Sequence, residues 1–257
     1  MVTFRKARVL VTGASAGIGA ATAESFCRAG AKEVIAVARR EERLQELAAR
    51  WAEAHGADVT PVVLDVADRA SVEALAKRHP RLFDADILVN NAGLARGTDP
   101  IQAAAAEDWE EMVRTNVLGL LYMTRLVAER MAGRGDGHIV NLGSVAGRWT
   151  YPGGGVYCAT KSAVAALTEG LRMDLHGTGV RVTNIEPGLV DTEFSEVRFR
   201  GDRTRAAKVY ADTRPLRAED VADAIVWSCS RPAHVNVQEM VLFPTDQAGV
   251  TMVHRTR

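Results

Sequence analysis

Tyr157 and Lys161 are spaced in a way that suits proton transfer. They lie four residues apart in GVYCATK, so on a helix they share one face. A lysine ammonium beside a phenol favours the phenolate and lowers the phenol pKa from its ordinary value of ~10. A shift to about 7 requires roughly 4 kcal/mol, which this ammonium and a second cation carried by a bound ligand can supply in a poorly solvated cleft. With the Ser144 hydroxyl as a second hydrogen-bonding group, the tyrosine is then a candidate general acid and base.

A glycine-rich turn near the N-terminus is a second signal, and it is needed because a lone Tyr-x-x-x-Lys pair often occurs by chance. Residues 7–19, ARVLVTGASAGIG, are a short apolar run followed by this turn and then by a helix-like segment. In such a unit Gly13 turns the chain, Gly17 lets the backbone approach a pyrophosphate, and Gly19 lets the helix pack close to the strand. The spacing G-x-x-x-G-x-G differs from the usual G-x-G-x-x-G, yet it predicts the same phosphate cradle.

Further motifs follow in order along the chain. They are TGASAGIG at 12–19, NNAG at 90–93, Asn116, Ser144, Tyr157, Lys161 and Pro187-Gly188. Together they resemble the short-chain dehydrogenase/reductase family from about residue 7 to the C-terminus. The resemblance implies an oxidoreductase that interconverts a secondary alcohol and a carbonyl by hydride transfer with a nicotinamide dinucleotide.

The resemblance assigns roles to four candidate catalytic residues. The substrate oxygen would lie between the hydroxyls of Ser144 and Tyr157, and Tyr157 would exchange the proton while hydride moves at the nicotinamide. Lys161 would hold the nicotinamide ribose and lower the pKa of Tyr157. Asn116 would keep a water molecule that connects Lys161 to solvent.

The same resemblance predicts a set of cofactor contacts along the chain. These are Gly13, Ser15, Gly17, Ile18, Gly19, Asp65, Val66, Asn90, Ala92, Gly93, Tyr157, Lys161, Pro187, Gly188, Val190 and Thr192.

Arg39 and Arg40 decide the expected cofactor. The second predicted strand ends in AVARR, with no acid where the adenosine ribose should lie. A carboxylate there would accept the ribose hydroxyls, whereas an arginine binds a 2′-phosphate. Charge-assisted hydrogen bonds contribute roughly 1.5 to 3 kcal/mol each, so the sequence predicts NADP(H). The alternative is that either arginine only faces solvent at a helix start.

Seven apolar, strand-like runs alternate with amphipathic segments of helical length. The runs are 8–12, 33–38, 59–64, 86–90, 138–142, 180–185 and 237–243. This alternation predicts an α/β chain with a doubly wound, Rossmann-type fold, in which a seven-stranded parallel sheet has helices on both faces.

The length of 257 residues favours one domain over the whole chain, 1–257. We expect a dinucleotide-binding half at about 1–140 and a catalytic and substrate half at about 141–257. Residues 191–216 are charged and break the alternation, which indicates either a substrate lid or a merely solvated helical pair.

Bulk composition excludes several classes of protein. The 32 basic and 32 acidic residues balance, so the charge points neither to nucleic acid nor to an anionic membrane. Three dispersed cysteines argue against a disulfide scaffold and a metal site. The start shows no signal-like segment and no apolar run approaches ~18 residues, which predicts a cytoplasmic protein.

Apolar helices near 107–132 and 155–176, together with the family resemblance, predict a homotetramer.

Several longer stretches resemble one branch of the family, the NADP-dependent 3-hydroxy acid dehydrogenases that act on serine and allo-threonine. They include RREERLQEL at 39–47, DLHGTGVRV at 174–182 and VHR at 253–255. The resemblance makes a small 3-hydroxy acid or its oxo form the first expected substrate, bound at Ser144, Tyr157 and Arg148. Members of the branch carry other residues where Arg148 and Gly155 stand. Arg148 would either clamp a carboxylate, with its two parallel donors, or line a wider pocket.

Two other functions remain open at this point. One is a carbonyl reductase for a larger, specialised metabolite. The other is an NADP(H)-sensing binding protein on the same fold, because fold does not determine function. The intact set of Asn116, Ser144, Tyr157 and Lys161 favours an enzyme.

Overall fold

The computed structural model describes residues 4–256, and its strands begin at the residues where apolar runs follow turns. The strands are β1 (Arg8–Thr12), β2 (Glu33–Ala38), β3 (Asp58–Val63), β4 (Ile87–Asn90), β5 (Gly137–Leu142), β6 (Val180–Pro187), β7 (Val190–Asp191), β8 (Leu216–Arg217) and β9 (Glu239–Leu242). Seven of them form a parallel sheet in the order β3-β2-β1-β4-β5-β6-β9, and β7 pairs with β8 separately. The predicted seven-stranded parallel sheet is confirmed.

Helices connect the strands, as parallel pairing requires. They are α1 (Gly17–Arg28), α2 (Glu41–His55), α3 (Arg69–Arg78), α4 (Ala106–Val113), α5 (Leu120–Arg134), α6 (Gly155–Asp174), α7 (Phe194–Arg198), α8 (Arg203–Tyr210) and α9 (Ala218–Cys229). Between α4 and α5 the chain forms one π-helical turn, Arg114–Gly119.

Alternate residues of the central strands fill two separate cores. Val9 and Val11 of β1 pack on the face covered by α1, α2 and α9, whereas Leu10 packs on the opposite face with Met123 and Val127 of α5. This two-residue period buries both faces of the sheet and makes its central strands almost wholly apolar. A single doubly wound domain follows, as predicted.

The strand order reverses between β1 and β4, and this position determines where a ligand can bind. In an open α/β sheet, a crevice forms outside the carboxyl ends of the strands at such a switch point. The glycine-rich turn after β1, the NNAG segment after β4 and Ser144 after β5 all reach that edge.

The segment predicted as a lid, 191–216, contains α7 and α8. Asp202 caps the start of α8 by accepting a hydrogen bond from the Arg205 amide at 2.9 Å. Among the described residues, 4–256, no helix is both long and apolar enough to cross a membrane.

Candidate active site

A cavity of about 830 Å³ lies at the carboxyl edge of the sheet. Pockets for organic cofactors and substrates commonly have volumes of ~300 to 1,000 Å³. Most of the predicted site residues line it: Gly13, Ser15, Gly17, Ile18, Arg39, Arg40, Asp65, Val66, Ala92, Gly93, Ser144, Tyr157, Lys161, Pro187, Gly188, Val190 and Thr192. The cavity therefore runs from the glycine-rich turn to the Tyr–Lys pair.

The glycine-rich turn needs glycine for two different reasons. Gly13 and Gly17 have φ angles of 70° and 50°, in the left-handed region that side chains disfavour. Gly19 has no such angle, but a Cβ there would collide with the Gly13 carbonyl oxygen and with Asn91. Because Gly19 has no Cβ, α1 can begin directly against the turn, and backbone N–H groups at the helix N-terminus are open to the cavity.

Asn90 and Asn91 face opposite sides of the chain. Asn91 lines the cavity and donates from Nδ2 to the Thr12 carbonyl at 2.9 Å. Asn90 is only 4% exposed, and its Nδ2 donates to Thr124 and Asn141 at 2.8 and 2.9 Å. Contrary to the prediction, Asn90 does not line the cavity, and its neighbour Asn91 does. Successive residues of a strand point in opposite directions, and this alternation was the signal that could have selected Asn91.

Ser144, Tyr157 and Lys161 converge because β5 ends beside α6. Ser144 follows β5, accepts from the Ala146 amide at 3.1 Å and donates to the Pro187 carbonyl at 3.4 Å. Tyr157 and Lys161 lie one turn apart on α6, and both are buried. The Nζ of Lys161 donates to the Leu142 carbonyl oxygen at 2.7 Å.

Burial dominates the proton affinities of this pair. It raises the pKa of the Tyr157 phenol, as does the nearby Tyr151, while the Ser144 hydroxyl and Arg198 act in the opposite direction. Burial also lowers the pKa of Lys161 from 10.5 to about 8. The expectation that Lys161 lowers the pKa of Tyr157 is therefore not met by the protein alone. The physical reason is that the phenolate and the ammonium both lose hydration in this cleft.

Asn116 lies in the π-helical turn, where its amide is fully engaged. Its Oδ1 accepts from the Leu94 amide at 2.8 Å, and its Nδ2 donates to the Leu94 carbonyl at 2.8 Å and to Thr160 at 3.0 Å. The side chain thus joins the loop after β4 to α6, and it does not line the cavity. In this structure it positions the elements around Lys161.

Arg148 does not reach the cavity. Its guanidinium contacts the carboxylates of Glu186 and Glu239. Glu186 has a side chain only 1% exposed, so it needs a cationic partner to remain ionised. The expectation that Arg148 binds substrate is wrong in this structure, because its guanidinium is paired with the buried Glu186 carboxylate. Gly155 also lies outside the cavity, against the Ile101 side chain.

Arg198 of α7 lines the cavity beside Tyr157, where Arg148 was expected. Its Nε donates to the Gly97 carbonyl at 2.8 Å, and its Nη1 donates to the Tyr151 hydroxyl at 3.0 Å. Its Nη2 is buried and has no hydrogen-bond partner within residues 4–256. The guanidinium carbon lies 5.9 Å from the centre of the Tyr157 ring. Sequence reasoning missed Arg198 because it is one of several arginines in 191–216, and nothing local distinguishes it.

The comparisons with known proteins agree with this geometry. The short chain dehydrogenase family matches residues 7–202. The chain belongs to this family. The predicted family is thereby confirmed, and the chain is an oxidoreductase.

The relatives of this dehydrogenase include dehydrogenases and a reductase named for small acidic substrates. NADP-dependent 3-hydroxy acid dehydrogenase YdfG of Escherichia coli K12 is 50% identical over 251 residues, 96% of this chain and 99% of the relative. Sulfoacetaldehyde reductase 2 of Chromohalobacter salexigens is 46% identical over 242 residues, 93% of this chain and 95% of the relative. The closed form of serine dehydrogenase complexed with NADP+ superposes with a TM-score of 0.89 at 49% identity, covering 97% of this chain and all of that one.

The end of the dehydrogenase's cavity beside the glycine-rich turn contains the two predicted arginines in different settings. Arg40 donates from Nε to the Ser15 hydroxyl at 3.1 Å and from Nη2 to the Ser15 carbonyl at 3.3 Å. Arg39 is more exposed, and its nearest acidic oxygen belongs to Asp65 at 3.8 Å. Arg40 is therefore fixed against the glycine-rich turn, whereas Arg39 is held loosely.

Proposed function

We propose that this dehydrogenase uses NADP(H) to interconvert a small 3-hydroxy acid and its 3-oxo form. The unpartnered Nη2 of Arg198 beside Tyr157 is the observation that carries the substrate class. The relatives' names support the same class, and Arg39 and Arg40 at the adenosine end support NADP(H) over NAD(H).

The residues of this chain fit a dinucleotide because they supply a phosphate cradle at one end of the cavity and a proton donor at the other. When bound, the nicotinamide supplies or accepts the hydride. Ser144 and Tyr157 then orient the substrate oxygen between their hydroxyls. In reduction the Tyr157 phenol donates its proton to that oxygen as hydride reaches the carbon, and in oxidation it takes the proton back. The raised pKa of Tyr157 keeps the phenol protonated and ready to donate at neutral pH.

Arg198 supplies the anion-binding group that this substrate class needs. A buried guanidinium nitrogen without a partner loses the hydrogen bonds that water would give it, and a carboxylate oxygen restores them. The other two nitrogens of Arg198, Nε and Nη1, donate to Gly97 and Tyr151, so the third nitrogen has a fixed direction. In a 3-oxo acid the carboxyl carbon is two bonds from the reacting carbon. Arg198 and Tyr157 both line the cavity, so one small molecule bound there lies next to both side chains.

Sulfoacetaldehyde is the second candidate substrate, and the same observation favours it. Its sulfonate sulfur is also two bonds from the carbonyl carbon, and guanidinium binds either anion. The relative from Chromohalobacter salexigens has this activity in its name. The two candidates differ in the shape and charge spread of the anion, so the ratio of their kcat/KM values decides between them.

The test compares anionic and neutral substrates in matched variants. Arg198→Gln should raise KM for the 3-hydroxy acid by about tenfold or more while a neutral ketone changes little, since the lost contact needs an anion. Arg203→Gln is the control, because Arg203 is exposed and pairs with Glu196 inside the same segment. Equal effects of Arg198→Gln on both substrates would reject the clamp. Turnover only with bulky neutral ketones would instead favour a carbonyl reductase of a larger metabolite.

The family resemblance supports two further proposals, a homotetramer and a cytoplasmic location. Leu121 of α5 and Met173 of α6 are large apolar side chains exposed on the helices expected at subunit contacts. Light scattering at micromolar concentration should give four times the chain mass of 27.7 kDa, and a monomer would contradict the assembly. Fractionation of cells that express the chain tests the location.

A further inference from the structure

Glu193, at the start of the 191–216 segment, bridges two arginines of the nucleotide-binding half. Its Oε2 accepts from Nη1 of Arg40 at 2.9 Å, and its Oε1 accepts from Nη1 of Arg43 at 2.5 Å. The pairing joins residues 153 positions apart in sequence, Arg40 and Glu193. One carboxylate thus holds the first turn of α2 against the residue that immediately precedes α7.

Of the two arginines that Glu193 holds, Arg40 lines the cavity beside the glycine-rich turn, and Arg43 follows it in the first turn of α2. Ser15, Arg40 and Glu193 all line it. The Nε and Nη2 of Arg40 donate to Ser15 of the glycine-rich turn, so Arg40 is held at the end of β2, where the sequence predicts the adenosine ribose. Glu193 is the only carboxylate within ion-pair distance of Arg40 among residues 4–256.

Charge makes this carboxylate a weak stand-in for a phosphate. A phosphate monoester carries about −1.5 to −2 charges at pH 7 and three strong acceptor oxygens, whereas a carboxylate carries one charge and two oxygens. Partial burial raises the pKa of Glu193, but hydrogen bonds from Arg40 and Arg43 outweigh it and lower the pKa. Glu193 is therefore ionised in the working range, and it competes for both guanidinium groups.

We propose that Glu193 competes with the 2′-phosphate of NADP(H) for Arg40 and Arg43, and that it thereby sets the affinity and the release rate of the cofactor. This inference rests on the proposed use of NADP(H). When the 2′-phosphate binds, it displaces the Glu193 carboxylate from the arginines. When the cofactor leaves, Glu193 takes the arginines back, which shortens the residence time of the phosphate.

The same exchange reaches the substrate end of the cavity. Thr192 lies beside the glycine-rich turn, because a Cβ added to Gly17 would be 3.2 Å from the Thr192 side chain. Glu193 follows Thr192, and α7, with Arg198, begins at the next residue. Release of Glu193 from α2 therefore affects the N-terminus of α7, the helix that carries Arg198.

The experiment measures equilibrium binding of NADP+, NAD+ and 2′-AMP by titration calorimetry to the full chain. The test variant is Glu193→Gln, which keeps the shape and removes the charge. The control is Glu196→Gln, because Glu196 pairs with Arg203 at 2.9 Å within the same segment and touches neither Arg40 nor Arg43. Glu193→Ala is a second test variant, and thermal melting checks that all variants fold.

Glu193→Gln and Glu193→Ala should bind NADP+ and 2′-AMP about fivefold more tightly than the wild type, a modest effect because the ion pairs are partly exposed. NAD+ affinity should stay within about twofold, since it lacks the 2′-phosphate. Stopped-flow dissociation of NADPH should slow by a similar factor.

Unchanged or weakened binding of NADP+ and 2′-AMP in both variants would overturn the proposal, as would an equal gain for NAD+. A wild-type chain that binds NAD+ as well as NADP+ would instead count against the proposed cofactor. The 2′-AMP measurement still reports on Glu193 in that case, so the two failures are distinguishable.

Discussion

The Nζ of Lys161 lies 6.0 Å from the centre of the Tyr157 ring and donates to the Leu142 carbonyl. The ammonium thus lies near the face of the ring but is not hydrogen-bonded to the phenol oxygen. Both groups are buried, and burial opposes the charged form of each. The pair is at rest as a protonated phenol beside an ammonium that is costly to keep charged.

Tyr157→Phe should abolish nearly all turnover and leave NADPH affinity close to that of the wild type. The phenol handles a proton, and removing its oxygen leaves the glycine-rich turn and Arg40 unchanged. Steady-state kinetics and NADPH fluorescence titration on one preparation check both parts. A variant that keeps more than a few per cent of kcat would point to another proton donor.

Lys161→Met should change stability in a pH-dependent way. The Lys161 pKa is about 8 in the folded chain and 10.5 in the reference state, so the unfolded chain binds more protons between these values. Wild-type stability from this group therefore rises as pH increases from about 8 to 10.5. Relative to the wild type, the variant should gain about 3 kcal/mol more at pH 7 than at pH 10.5.

Urea unfolding of both proteins across this pH range measures the difference. The comparison removes the contributions of tyrosines and cysteines, which titrate alike in the two chains. A stability difference that stays flat from pH 7 to 10.5 would show that Lys161 has an ordinary pKa in the folded protein.

Arg40→Ala should raise KM for NADPH by about tenfold, and Arg39→Ala should raise it less. The reason is that Arg40 is held by a hydrogen bond to Ser15. Arg39 is exposed, and its nearest acidic oxygen, on Asp65, is as far away as 3.8 Å. KM for NADH should change little in either variant. The wild type should use NADPH at least about tenfold better than NADH in kcat/KM, so equal use of both cofactors would contradict this assignment.

Arg148→Ser should destabilise the fold by about 3 kcal/mol at neutral pH without changing any KM, because it leaves the buried Glu186 carboxylate without its main cationic partner. Burial raises the pKa of Glu186, and Arg148 acts against this shift. Without Arg148 that pKa rises further, so the folded chain holds its proton above the pH at which the unfolded chain loses it. The loss of stability should then be larger at pH 7.5 than at pH 5.

Adding Glu186→Gln to Arg148→Ser should restore part of the lost stability, because no buried charge then remains at position 186. Thermal melting at the two pH values checks this ordering. An Arg148→Ser variant with normal stability and a raised KM for acidic substrates only would return Arg148 to the substrate site.

The sheet and the converging site were predictable because their signals are local. Apolar runs of four to six residues between turns mark parallel strands, and these runs appear at β1, β2 and β5. Four-residue spacing on one helix is enough to bring Tyr157 and Lys161 to one face. Gly13 and Gly17 of the predicted turn both have a left-handed backbone, which glycine adopts more readily than any other residue.

Only the folded chain decided which of several equivalent polar residues face the cavity. Asn90 and Asn91 are neighbours at the end of β4, and their side chains point in opposite directions. Arg148 and Arg198 are both close in sequence to residues of the site. Arg148 turns away because Glu186, 38 positions further along the chain, is buried within reach of its guanidinium. Arg198 turns inward because Gly97 and Tyr151 hold two of its nitrogens and leave the third unpartnered. A side chain's composition states which bonds it can form, but its direction depends on partners that only long-range packing brings close.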